Sequence, residues 1–146
     1  EPQYARRAAS HEGNDYGSSY VEIDLTNQHV WVYVNGQCVV ETDCVTGNPA
    51  EGNGTPQGVY SIAYKQMNTT LRGPKKADGT YEWESPVTYW MPFNGGIGLH
   101  DANWRSSFGG SIYQGGGSHG CVNLPPSVAG TVYDNIQAGT PVVCHY

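Results

Sequence analysis

The chain is poor in charge, with only 14% of its 146 residues being Asp, Glu, Lys or Arg, and it has two Met and two Phe. So few charges argue against a coiled coil and against disorder driven by self-repulsion. Basic residues number seven against 13 acidic ones, for a formal net charge of -6, and no basic run is present to neutralise a phosphate backbone. Nucleic acid is therefore excluded as an expected partner. No stretch approaches the roughly 20 apolar residues needed to cross a bilayer, so no membrane contact is expected of this domain itself. The segment Glu1 to Ala9 lacks the apolar centre of a signal peptide. The first 18 residues carry no strand or helix pattern and are read as the remnant of an upstream region, where an export signal or anchor would lie.

The four cysteines, Cys38, Cys44, Cys121 and Cys144, contain no CxxC pair, so the spacing of a structural zinc site is missing and no metal is expected. Cys38 and Cys44 stand six apart on a strand-like run, roughly 20 Å if extended, beyond disulfide reach. The glycine run Gly115 to Gly117 lacks the GK[ST] ending of a phosphate loop, which removes nucleotide binding.

What the chain does have is glycine, 20 residues, and tyrosine, 11 residues. Tyr20 to Leu25 alternates, with Val21, Ile23 and Leu25 on one face and Glu22 and Asp24 on the other, the pattern of a half-buried strand near a sheet edge. Val30 to Val34 places valines on one face and Trp31 and Tyr33 on the opposite one. Asn35-Gly36 then supplies a type I′ turn into a strand from Gln37 to Val45. Thr46 to Gln57 reads as a loop, and Gly58 to Tyr64 as a strand. Lys65 to Pro86 reads as a long excursion, a candidate lid. Val87 to Phe93 and Gly96 to His100 are two more strands. Ser127 to Gln137 is the single convincing helix, preceded by Pro125-Pro126 and followed by Gly139. Pro141 to His145 closes the chain as a strand. Short strands separated by turns predict a mainly β sandwich or barrel.

Chemistry concentrates between Gly95 and Asn123, which hold nine of the 20 glycines, two of the five histidines and Cys121. A thiol becomes a strong nucleophile as thiolate, so it needs a base nearby, and His100 and His119 are the candidates. Gly120 lets the backbone approach a substrate closely and direct amides at a developing oxyanion. This is an acyl-transfer pattern. His11, His29 and His145 have no partner pattern and read as exposed or structural, and Cys38, Cys44 and Cys144 as structural thiols.

His100, 17 intervening residues and SHGCVN at 118 to 123 resemble the signature of the L,D-transpeptidase catalytic domain, or YkuD domain. The segments VEIDLTNQHVWVYVNG, TPQGVYSI and NGGIGLHDANWR are similar to that family as well, so the resemblance runs from residue 19 to 146. It implies a β-sandwich with one short helix after the catalytic cysteine, and an enzyme acting on peptidoglycan stem peptides without metal or organic cofactor. Cys121 would attack the carbonyl of the third stem residue and expel the terminal D-alanine. The thioester would pass to a side-chain amine of a neighbouring stem. His100 matches the general base, His119 helps shape the pocket, and the amides of Gly120 and Cys121 would form the oxyanion hole. Ser118 and Asn123 would brace the turn or contact substrate. Many relatives carry Arg where Asn123 stands. Asp101 follows the base directly; its carboxylate is poorly placed to orient the ring, a task a backbone carbonyl could do. Tyr89, Trp90 and Trp104 are the candidate wall residues.

The resemblance also implies acylation by carbapenem β-lactams and an extracytoplasmic place at the cell wall or cell surface. Three other readings compete. A cell-wall cysteine peptidase or carboxypeptidase would use the same thiol and imidazole, but the common peptidase order puts cysteine before histidine. A metal-dependent wall hydrolase would need His100, Asp101, His119 and Cys121 as ligands without any paired spacing. A non-catalytic wall-binding module would leave Cys121 dispensable.

Overall fold

The structure is a computed structural model that describes residues 18–52, 54–118 and 120–146. Of the expected upstream segment only Ser18 falls within them, and His119 lies outside the described residues.

Among the described residues nine strands form two sheets. In chain order they are β1 (Tyr20–Asp24), β2 (His29–Val34), β3 (Gln37–Asp43), β4 (Gly58–Ser61), β5 (Gln66–Arg72), β6 (Glu84–Asn94), β7 (Ile97–Asp101), β8 (Val122–Leu124) and β9 (Pro141–His145). Helical turns are a short α1 (Tyr113–Gly116), the longer α2 (Pro126–Asn135) and a 3-10 turn at Pro49–Glu51. The first sheet runs β3-β2-β1-β9-β4 and the second β5-β6-β7-β8. Pairing is antiparallel except for β1 with β9 and β7 with β8.

The alternation seen in the sequence builds the core. Val21, Ile23 and Leu25, Val30 and Val32, and Val142 and Cys144 from the first sheet bury against Met91, Phe93, Leu99, Val122 and Leu124 from the second. Helix α2 adds Ala129 and Val132, and packs against strands of both sheets. Asn35 and Gly36 have φ of 52° and 83°, the pair of positive values that a type I′ turn between β2 and β3 requires.

Two expectations are corrected. β1 is the central strand of its sheet, not an edge strand, and every one of its residues is buried. Glu22 is fully buried there because His145, on the neighbouring β9, meets its Oε2 through Nε2 at 2.6 Å. The excursion from Lys65 to Pro86 is a β-hairpin made of β5 and the start of β6. β5 has no fully buried residue, so it carries no hydrophobic alternation from which a strand could be read. The short β8 and α1 also went unrecognised in the sequence, each having three or four residues.

Candidate active site

The site lies on the second sheet, where β7 and β8 pair in parallel and set His100 opposite Asn123. Partners in register share a face. The buried neighbours Leu99 and Val122 anchor the core side of the pair, so His100 and Asn123 occupy the other side. Cys121 precedes β8 by one residue and stands two before Asn123, which returns it to the His100 side. A cleft of about 170 Å³ collects His100, Trp104, Arg105, Ser118, Cys121 and Asn123, together with Leu71, Trp83 and Ser85 of the β5–β6 hairpin. The hairpin expected as a lid thus contributes one wall.

His100 is buried, and its Nδ1 lies 2.7 Å from the backbone carbonyl of Asp101. A carbonyl only accepts, so Nδ1 carries the hydrogen and Nε2 keeps its lone pair. Nε2 faces the Asn123 side-chain nitrogen at 3.1 Å, with the amide oriented by its hydrogen-bond network. The Asn123 oxygen accepts from Arg105 Nε at 2.8 Å and Nη2 at 3.3 Å. Burial holds the His100 pKa below the ordinary histidine value; the Asp101 hydrogen bond and charge oppose this, and Arg105 adds to it. The Asp101 carboxylate does not orient the ring. Its Oδ1 accepts the backbone amides of Thr88 and Tyr89, both at 2.8 Å, and ties β7 to β6.

The Cys121 thiol donates to the Gly96 carbonyl at 3.4 Å. Burial pushes its pKa up to about 11, partly offset by a backbone hydrogen bond from Gly98. Thiol and imidazole therefore rest as a neutral pair, each engaged with another partner while sharing one cleft. Both Cys44 and Cys144 are buried in the core, and their thiols are also pushed up by burial, that of Cys144 to about 12. Cys38 is exposed.

Ser118 closes the turn around the cysteine. Its Oγ donates to the Cys121 carbonyl and accepts the Gly120 amide at 3.1 Å. Gly120 has φ of 122°, a value that favours glycine. Its carbonyl accepts from the Thr55 hydroxyl, and the Ser118 amide donates to Thr46 O at 3.0 Å. The Gly120 N–H, expected to help form the oxyanion hole, donates here to Ser118 Oγ. Gly120 thereby holds the turn that carries Cys121.

Tyr89 is a correction. On β6, Met91 faces the core, and Tyr89, two residues before it, packs against the same cluster. Its ring packs on Tyr133 of α2 at 5.2 Å, away from the cleft. Trp90, one residue on, pairs with His100 across the strands, with ring centroids 6.0 Å apart. Trp104 lies 5.8 Å from the His100 ring and is half exposed. Arg105, Leu71, Trp83 and Ser85 were not anticipated. Only Arg105 had a signal, as a cation five residues past the histidine.

Among the described residues no three His, Cys, Asp or Glu side chains are grouped to hold a metal ion, and no helix is long and apolar enough to cross a membrane.

Comparison with known proteins agrees with this geometry. A family model described as the L,D-transpeptidase catalytic domain matches residues 18–144. The crystal structure of a mutant Enterococcus faecium L,D-transpeptidase is 42% identical, covers 88% of this chain with a TM-score of 0.79, and is itself covered over 50% of its length. The chain therefore spans half of that enzyme. The catalytic domain from E. faecium L,D-transpeptidase acylated by ertapenem, solved by NMR, is 43% identical over 88% of this chain and 97% of its own, with a TM-score of 0.75. An L,D-transpeptidase from Mycobacterium smegmatis shares the fold at 23% identity, with a TM-score of 0.73 over 88% of this chain and 59% of that one. No curated protein matches. The match over residues 18–144, carried on two sheets with one ten-residue helix after the cysteine, places this chain in the L,D-transpeptidase catalytic domain family.

Proposed function

We propose that the protein is a peptidoglycan L,D-transpeptidase that works by cysteine acyl transfer at the extracytoplasmic cell wall. The observation that carries this is the shared cleft of Cys121 and His100, with the Asp101 carbonyl holding the Nδ1–H tautomer and burial keeping the ring neutral. The Sγ–H bond breaks as Nε2 takes the proton, and Sγ adds to the carbonyl of the third stem residue. The oxyanion meets the Cys121 amide. The C–N bond to the terminal D-alanine then breaks, and imidazolium returns the proton to the departing amine. A side-chain amine of a second stem attacks the thioester, loses its proton to His100, and releases Cys121 with a new amide cross-link.

His119, two residues before the nucleophile in the sequence, takes in this reading the pocket-shaping role that the family resemblance implies. Ser118 braces the turn, and Trp104 walls the substrate groove. A β-lactam carbonyl meets the same nucleophile, and because its leaving nitrogen stays tethered in the opened ring, the adduct retains the whole drug mass. The acylated E. faecium domain supports the inhibitor class.

Mass spectrometry of the chain incubated with a carbapenem tests the reading. One drug mass should be added to the wild type and none to Cys121→Ala; an unmodified wild type would overturn it. A tetrapeptide donor with and without an amine acceptor then separates transfer from hydrolysis, the outcome that would favour a carboxypeptidase.

A further inference from the structure

Arg105 sits five residues beyond His100 on the loop that follows β7, its backbone amide turned onto the Ala102 carbonyl at 3.3 Å. Its guanidinium contacts the Asn123 oxygen through both Nε and Nη2. A guanidinium offers N–H donors and no acceptor, so it admits only the oxygen end of the amide. The nitrogen end is then forced toward His100 Nε2, where it can only donate. On the opposite side of the ring, the Asp101 carbonyl can only accept. A protonated imidazole would need an acceptor at Nε2 and instead meets the Asn123 N–H.

We propose that Arg105 is a positioning residue that fixes the Asn123 amide in one orientation and thereby locks His100 as the neutral Nδ1–H tautomer. The lock rests on the reading of His100 as the base. It concerns which nitrogen is ready and how acidic the imidazolium becomes.

Among the described residues, the ionisable groups facing His100 are few. β7 brings Asp101, whose carboxylate is turned to the Thr88 and Tyr89 amides. The loop brings Arg105, and the segment before β8 brings Cys121. β6 offers Trp90, and the hairpin offers Leu71, Trp83 and Ser85, none of which titrates near neutrality. Burial and the Arg105 charge both disfavour the imidazolium, while Asp101 favours it. When the thiol proton reaches Nε2 it replaces the Asn123 hydrogen bond, and the new N–H faces an amide that Arg105 keeps from turning. The imidazolium is destabilised, so it passes its proton readily to the leaving amine.

Long-range 1H–15N NMR of the His100 ring in the whole chain, titrated with acid, reads the lock directly. Wild type should show hydrogen on Nδ1 alone and a midpoint below the ordinary histidine range. Arg105→Met frees the amide to turn and should raise the proton affinity of the ring about tenfold. The acid limb of carbapenem acylation should move up by the same factor. Arg105→Lys, a single-point donor to the same oxygen, should fall between the two. Asn123→Asp leaves only acceptors at Nε2, so it should raise the midpoint further, and it stands as a separate test if Arg105→Met does not fold. A purely structural role would lower the acylation rate without moving either midpoint. Unchanged midpoints in Arg105→Met or Asn123→Asp would overturn the lock. Failure of the wild type to be acylated would instead overturn the transpeptidase reading, while the NMR midpoints would still decide the lock.

Discussion

Asn123 Nδ2 and His100 Nε2 lie 3.1 Å apart across the parallel pair β7–β8, so at rest the base nitrogen is capped by an amide while the Cys121 thiol donates to Gly96. This is a neutral pair awaiting proton transfer, unlike a preformed thiolate–imidazolium pair. With the thiol pushed up to about 11 and His100 held below 6.5, acylation depends on the fraction of neutral His100. The rate constant for carbapenem acylation should fall in acid with a midpoint below 6.5, level off through neutrality, and slow in deuterated water because the proton is in flight. An acid limb above the ordinary histidine value, or no isotope effect, would contradict this.

Ser118 joins the Gly120 amide to the Cys121 carbonyl through a single hydroxyl. Ser118→Ala leaves both backbone groups without that partner, at a cost of about 1–3 kcal/mol, and frees the turn that aims Sγ. Acylation should slow roughly ten- to hundredfold, since each 1.4 kcal/mol is about a factor of ten. Ser118→Thr keeps the hydroxyl and should recover most of the rate, measured by stopped-flow with the same drug.

How much of this was legible in the sequence depends on what each residue's role requires. The valines of β2 and the Asn35-Gly36 turn follow from local rules, and the β1–β3 meander was readable from them. Cys121 and His100 were readable because spacing and motif survive in one dimension. β5 was not, because a strand with no fully buried residue has no hydrophobic period. Tyr89 was misassigned to the cleft by one step of strand parity, which alternation alone settles only when the core side is known. Glu22 read as solvent-facing because its partner His145 lies 123 residues away. Arg105 acts only through Asn123, a contact that the β7–β8 pairing creates.

The Glu22–His145 pair predicts a pH-dependent term in stability. Burial opposes protonation of His145, but the Glu22 hydrogen bond and charge, with the Tyr146 carbonyl and Asp24, outweigh it and raise its pKa above 6.5. A raised folded-state value means the stabilisation is fully present below 6.5 and is lost as pH rises through the folded value. Glu22→Gln keeps the hydrogen-bond shape and removes the charge. It should cost about 2 kcal/mol on the acid side of that window and progressively less above it, flattening the slope. Urea unfolding at both ends of the window measures this; a constant loss at every pH would assign the effect to packing alone.

Gly98 ties the fold to the nucleophile. It pairs with Pro92 in the β6–β7 ladder, and a Cβ there would run into the Pro92 Cα and the Met91 carbonyl. Both obstacles are backbone, so neither can swing aside as a side chain would. Gly98→Ala should therefore push β7 from β6 at a cost of about 1–3 kcal/mol, the range for overpacking a filled interior. The displacement also moves the Gly98 backbone group that partly offsets the burial of Cys121, so the thiol should become harder to ionise. Two readouts separate the effects. The unfolding midpoint should drop, and in the still-folded fraction the alkaline limb of Cys121 alkylation should shift upward relative to wild type. The exposed Cys38 provides an internal reference whose labelling should stay unchanged. A variant as stable as wild type would mean that the strands separate without cost and that this contact does not hold the sheet in register.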